Sequence, residues 1–189
     1  MAKLKLGVIV GSNRRESINR KLAHALAKLG AGAFDANFIQ IDDLPIYNQD
    51  LEMPVPEKIV RFKSELARSD ALLFVTPEHS RSITAVLKNA IDWGARPWGK
   101  TSWPGKPAAV IGTSGGSICT AIAQQHLRAV LGDLGLYLMG GEAYIQFKSD
   151  LIDVQRAVTD DRVRTFLKNF IDQFAGFAAS FAQRTAVAA

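Results

Sequence analysis

The sequence predicts an α/β fold: a five-stranded parallel sheet covered on both faces by helices. Two observations carry this. Short apolar runs, bounded by Gly, Pro, Ser or Asp, recur five times, as strands buried on both faces do. Between them stand stretches with apolar residues at helical spacing. A strand–helix order repeated in this way needs crossover connections, hence parallel neighbours in a three-layer arrangement.

The strands are expected at Leu4–Val10, Phe38–Ile41, Ala71–Val75, Ala108–Ile111 and Leu136–Met139, the last with a possible extension toward Ile145. The first helix, 18–29, places Ile18, Leu22, Ala25, Leu26 and Leu29 on one face, and the second, 56–67, does so with Ile59, Phe62, Leu66 and Ala67. Val86, Leu87, Ala90, Ile91 and Trp93 mark the third. The fourth covers 119–134, and a long last helix over 160–182 repeats Val163, Phe166, Leu167, Phe170, Ile171, Phe174 and Phe177 at a period near 3.6. No internal repeat or linker divides the chain, so residues 1–189 read as one domain with a frayed tail over 185–189.

The chain has 189 residues, 48% hydrophobic and 22% charged, which suits one globular core. No apolar run approaches the ~20 residues that span a bilayer. The opening Met1–Asn13 stretch runs into a glycine turn without a cleavage signature and reads as a strand rather than a leader. A single cysteine, Cys119, allows no intrachain disulfide and no multi-cysteine metal site, and a reducing cytoplasm is the expected location. The net charge of +5 is spread along the chain without a basic block or a zinc-finger spacing. That favours a solvated surface with a few cations aimed at phosphate over nucleic-acid binding. No metal site and no membrane insertion are expected.

Open parallel sheets bind ligands beyond the carboxyl ends of their strands, so the loops after the first, third and fourth strands are the places to search. The first, Gly11 to Asn19, combines a glycine exit with Ser12, Ser17 and Asn19 as donors and the Arg14 guanidinium. With the amides of the helix start it would cradle a phosphate without a metal. It lacks the Gly-Lys-Ser/Thr ending of a P-loop and the Gly-x-Gly-x-x-Gly of a dinucleotide fold. A plain helix cap by Ser17 is the alternative.

The segment Gly11-Ser12-x-Arg14-x-x-Ser17-x-Asn19-x-x-Leu22-Ala23 resembles the phosphate loop of the NADPH-dependent FMN reductase family, which includes quinone and chromate reductases. The stretch Thr76-Pro77-Glu78-His79-Ser80-Arg81-Ser82 through Leu87-Lys88-Asn89-Ala90-Ile91-Asp92-Trp93 resembles its second signature. There His79 stands for the usual Tyr, Ser80 for Asn, Thr84 for Pro and Ala85 for Gly. The Gly112-Thr113-Ser114-Gly115-Gly116-Ser117 loop and the helix carrying Gln124, Leu127 and Arg128 are also similar to the family, as is Asp43-Leu44-Pro45-Ile46-Tyr47-Asn48-Gln49-Asp50.

The resemblance implies a flavodoxin-like sheet in the order 2-1-3-4-5, bound FMN, and NADH or NADPH as co-substrate. It implies FMN contacts by Ser12, Arg14, Ser17, Ile18 and Asn19 at the phosphate, by Pro77, Glu78, His79, Ser80, Arg81 and Ser82 along the ribityl chain and ring edge, and by Thr113, Ser114, Gly115 and Gly116 at the ring. The implied activity is ping-pong reduction of quinones, free flavin, ferric chelates or chromate by a homodimer or homotetramer. The apolar face around Trp93, Trp98 and Trp103 is a candidate subunit contact. Because the flavin carries the chemistry, no side chain is expected to act as catalytic acid, base or nucleophile, and Cys119 reads as a passive buried thiol. A non-enzymatic FMN carrier and a flavin-based redox sensor are the alternatives. The first would be expected to show an acidic docking face and the second a partner-binding segment.

Overall fold

The computed structural model describes residues 2–187, with side chains to residue 181. Strand β1 (Leu4–Val10) leads into α1 (Ile18–Leu29), followed by β2 (Phe34–Phe38), a 3-10 turn at Gln49–Leu51, α2 (Glu57–Arg68), β3 (Ala71–Val75) and α3 (Ala85–Ala95). The chain continues through β4 (Pro107–Ser114), α4 (Ala121–Asp133), β5 (Tyr137–Leu138), β6 (Tyr144–Gln146) and α5 (Asp161–Val187). All strand pairs in the sheet are parallel, in the order β2-β1-β3-β4-β5, with β6 also on β4. Of the tail expected to fray, the backbone is helical as far as Val187, and the rest lies outside the described residues.

Two elements differ from expectation. The second strand is Phe34–Phe38, sharing only Phe38 with the expected run. It is the sheet's edge, where burial alternates and Asp35 and Asn37 fall between inward positions, so a search for continuous apolar sequence passes over it. Ile39 and Ile41 instead follow the strand as buried loop residues. The fifth strand is broken. Tyr137 and Leu138 pair with Pro107 and Ala108, while Tyr144–Gln146 pair with Gly112–Ser114, so the sheet has six strands rather than five. Between the pieces, Gly141 takes a left-handed φ of 86°. The freed carbonyls of Met139 and Gly141 accept from the Arg128 guanidinium at 2.9 and 2.8 Å. Partial burial lowers the basicity of Arg128, and Tyr144 and Glu142 oppose that shift.

The sheet separates two apolar layers. On one face Leu22, Ala25 and Leu26 of α1 and Leu167, Ile171 and Phe174 of α5 meet Leu6, Val8 and Leu73. On the other, Ile59, Phe62 and Leu66 of α2, Leu87 and Ile91 of α3, and Leu127 and Leu131 of α4 meet Ile9, Leu72 and Phe74. Trp93 and Trp103 are fully buried in this second layer, and their indole N–H groups donate to Pro45 and Ile91 carbonyls. Of the three tryptophans expected on a subunit contact, Trp98 alone is exposed, at 88%.

Gly112 admits no side chain. A Cβ there would lie 2.1 Å from the Thr76 carbonyl and 2.5 Å from Thr120 Oγ1. Gly112→Ala should therefore push β3 from β4 and cost about 2 kcal/mol or more, as overpacking does. Urea unfolding would measure this, and an unchanged midpoint would refute it.

Candidate functional site

Three loops meet at the carboxyl ends of β1, β3 and β4. Gly11 N–H donates to the Val75 carbonyl at 2.9 Å, drawing the end of β1 onto β3. Its own carbonyl accepts from Thr84 Oγ1 at 2.8 Å. Thr84 Oγ1 also accepts from Leu87 N–H, capping α3. Threonine at this position therefore caps the helix and holds the first loop.

In the first loop Ser17 is the N-cap of α1. It is 4% exposed, and its Oγ accepts from Arg20 N–H at 3.2 Å. From Ser12 to Asn19 no backbone N–H finds an acceptor within the described chain, as at any open helix start. Arg14 is exposed and makes no ion pair or hydrogen bond among the described residues. The carboxylate of Glu16 lies 3.9 Å from Lys21 Nζ. Unpaired amides, the helix dipole, a free guanidinium and the Ser12 and Ser17 hydroxyls suit a phosphate dianion. Asn19 plays another part. It is 2% exposed, and its amide donates to the Thr113 carbonyl at 2.9 Å and accepts from Thr113 N–H at 3.0 Å. Its side chain thus ties the first loop to β4, leaving its backbone N–H and that of Ile18 to face a ligand.

After β3, Pro77 is half-buried, and Glu78 turns its carboxylate away from the first loop to the start of α4. There Oε2 accepts from Ile122 and Ala123 N–H, both at 3.1 Å. The hydroxyl of Thr120, the cap residue, accepts from the Gln124 side chain and caps none of the helix's free N–H groups, so Glu78 caps it from another loop. Its Oε1 accepts from Arg81 at 3.1 Å. His79 and Ser82 exchange backbone bonds of 3.0 and 2.9 Å around Ser80 and Arg81, whose φ values are 48° and 61°. Two positive φ values at the centre make a tight primed turn, strained for residues with a Cβ. Ser82 Oγ lies 3.1 Å from His126 Nδ1, a second tie to α4. His79, Ser80 and Arg81 are exposed at the tip.

At the end of β4, Thr113 is buried, and its hydroxyl donates to the Ile145 carbonyl at 2.7 Å. Ser114 Oγ donates to Cys119 O at 2.8 Å and accepts from Gly116 N–H at 3.2 Å, closing the turn on itself. Gly115, Gly116 and Ser117 are exposed, and no partner meets the amides of Gly115 and Ser117 among the described residues. Cys119 is buried in a left-handed conformation, and burial raises its thiol pKa. With no base beside it, this is a packing residue.

Two holding residues stand out only in the structure. Asn89 accepts from Tyr47 N–H at 2.7 Å and donates to the Pro45 carbonyl at 2.9 Å, so with Trp93 it pins the 43–48 segment onto α3. Nothing in the Leu87–Trp93 run of the sequence tells which loop it holds. Lys88 and Asp92, four residues apart, do pair at 2.7 Å.

The family profile for NADPH-dependent FMN reductases matches residues 4–150. The chain is 47% identical over 175 residues to a 2-hydroxy-1,4-benzoquinone reductase of a Burkholderia species, a match covering 92% of this chain and 96% of that one. It is 45% identical over 174 residues to a quinone reductase of Pseudomonas putida, covering 91% and 93%. Among solved structures, the flavoenzyme NAD(P)H:(acceptor) oxidoreductase FerB from Paracoccus denitrificans superposes with a TM-score of 0.91 at 43% identity, covering 94% of this chain and 98% of that one. With its parallel sheet, its three joined loops and these relatives, the chain belongs to the NADPH-dependent FMN reductase family.

Proposed function

We propose that this protein is a quinone reductase that holds FMN across the three loops and takes electrons from NADH or NADPH. The observation that carries it is the open start of α1, where unpaired amides from Ser12 to Asn19 and the partnerless Arg14 form a phosphate cradle. FMN, when bound, supplies the hydride chemistry. The protein holds the phosphate with Ser12, Arg14, Ser17 and the amides of Ile18 and Asn19. Pro77 and the His79–Ser82 turn would hold the middle of the cofactor, and the Gly115 and Gly116 backbone would hold the ring. With FMN bound, the free N–H groups of Gly115 and Ser117 would stabilise negative charge developing on the ring during reduction. Glu78, Asn19 and Thr113 act one step back, by fixing the loops to one another. Free flavin, ferric chelates and chromate are further acceptors under this reading. The protein works as one domain, in the cytoplasm, as a homodimer or homotetramer. Among the described residues no helix is long and apolar enough to cross a membrane.

Nucleotide and acceptor share one face in turn, so initial-rate plots at several quinone concentrations should be parallel, the mark of a ping-pong cycle. Anaerobic stopped flow supplies the direct test: NADH or NADPH should bleach the bound flavin at least as fast as turnover. A flavin that stays oxidised would leave an electron carrier instead.

A further inference from the structure

Helix α4 meets the loop after β3 at two points. At the first, the Glu78 carboxylate can only accept, and it does so from the Ile122 and Ala123 N–H groups. At the second, His126 Nδ1 lies 3.1 Å from Ser82 Oγ, and either member can donate or accept. Ala123 and His126 are three residues apart, so the helix presents both to the same loop. Within the turn, Arg81 is held by Glu78, while the side chains of His79 and Ser80 have no partner among the described residues. Ser82 is thus tied to a group that changes charge between about pH 5 and 8. The charges around that group are held elsewhere. From the loop, Glu78 and Arg81 pair with each other at 3.1 Å. On α4, Gln125 turns to Glu142 and Tyr144, and Arg128 to the Met139 and Gly141 carbonyls. No carboxylate pairs with His126 among the described residues.

We propose that His126 is a positioning residue for the cofactor, which sets through Ser82 whether that hydroxyl donates to FMN. The proposal rests on the reading above, in which the His79–Ser82 turn holds the middle of the cofactor. A charged imidazole has two donors and no acceptor. Beside it Ser82 Oγ accepts, and the hydroxyl hydrogen is left for an oxygen of the ribityl chain or the ring. The neutral ring with its hydrogen on Nε2 offers Nδ1 as an acceptor and takes the hydroxyl hydrogen back. Ser82 then has only lone pairs to offer the cofactor, and one hydrogen bond to FMN is lost. FMN is therefore held more tightly on the acid side of the imidazole titration, and exchange of His126 abolishes the difference.

FMN dissociation constants, read by flavin fluorescence across the range in which imidazole titrates, test this in wild type, His126→Gln, Ser82→Ala, their double variant and His79→Gln. Glutamine keeps a donor and an acceptor but does not titrate. The cofactor phosphate also ionises, near pH 6, so each variant is compared with wild type at the same pH. Relative to His126→Gln, the wild type should gain about fivefold in affinity from the alkaline to the acid end, the worth of one hydrogen bond. Ser82→Ala should show the pH slope of His126→Gln, and the double variant the same slope again, because the two groups act in series. His79→Gln should keep the wild-type slope. A wild-type slope equal to that of His126→Gln, a Ser82→Ala protein that keeps the wild-type slope, or a slope lost in His79→Gln would each overturn the proposal while leaving the FMN reading intact. A wild type that takes up no FMN at any pH overturns the FMN reading, and the role of His126 with it.

Discussion

Arg14→Ala with Ser17→Ala is expected to leave a folded protein that purifies without flavin and binds added FMN about two orders of magnitude more weakly. Arg14, like its neighbour Arg15, is exposed and pairs with nothing among the described residues. It can therefore meet a phosphate without first breaking an internal bond. Ser17 is buried, accepts from Arg20 N–H and keeps its hydroxyl hydrogen for a ligand. Removing a charged and a neutral contact together costs about 3 kcal/mol, equivalent to a hundredfold in affinity. Losing the cap also costs the helix about 1 kcal/mol, so thermal unfolding of the flavin-free proteins should be compared alongside FMN fluorescence titrations. A double variant that stays yellow with unchanged affinity would place the phosphate elsewhere.

The second large effect is expected at Asn19. Asn19→Ala removes two hydrogen bonds and leaves the buried N–H and carbonyl of Thr113 without partners. Unpaired buried polar groups cost about 1–3 kcal/mol each, so a loss near 3 kcal/mol is expected. Urea unfolding reads this as a lower midpoint with an unchanged slope. FMN binding should fall as well, because the first loop is no longer tied to β4. Asn19→Asp separates the causes: it retains an acceptor for Thr113 N–H but places a carboxylate opposite the Thr113 carbonyl, and should be at least as unstable. If Asn19→Ala is as stable as wild type, Asn19 does not hold the two loops together.

Much of this was legible in the sequence. Strands buried on both faces announce themselves as unbroken apolar runs, so β1 and β3 stand at their expected bounds. Helices with one strong apolar stripe do likewise, as α1 does. The edge strand β2 and the divided strand at the other edge were not legible, because an edge is half-solvated and its pattern weakens. The open helix start proposed as the phosphate cradle was legible because its parts are consecutive. The cross-loop ties were not. Glu78 reads as a ligand contact beside its neighbours, and only the approach of α4 shows its carboxylate capping that helix 44 residues away.

By itself the sequence determined the layer order, the crossovers, the open helix start after β1 and the family. Those depend on local periodicity and on residues adjacent in the chain. Tertiary structure alone decided which polar side chains are left for a ligand. Asn19, Thr113 and Glu78 are polar like Ser12 and Arg14, but Asn19 and Thr113 satisfy each other across the sheet, and Glu78 satisfies the open amides at the start of α4. A buried polar group must find its partner wherever the fold brings one within about 3 Å, and that distance is written in no stretch of sequence.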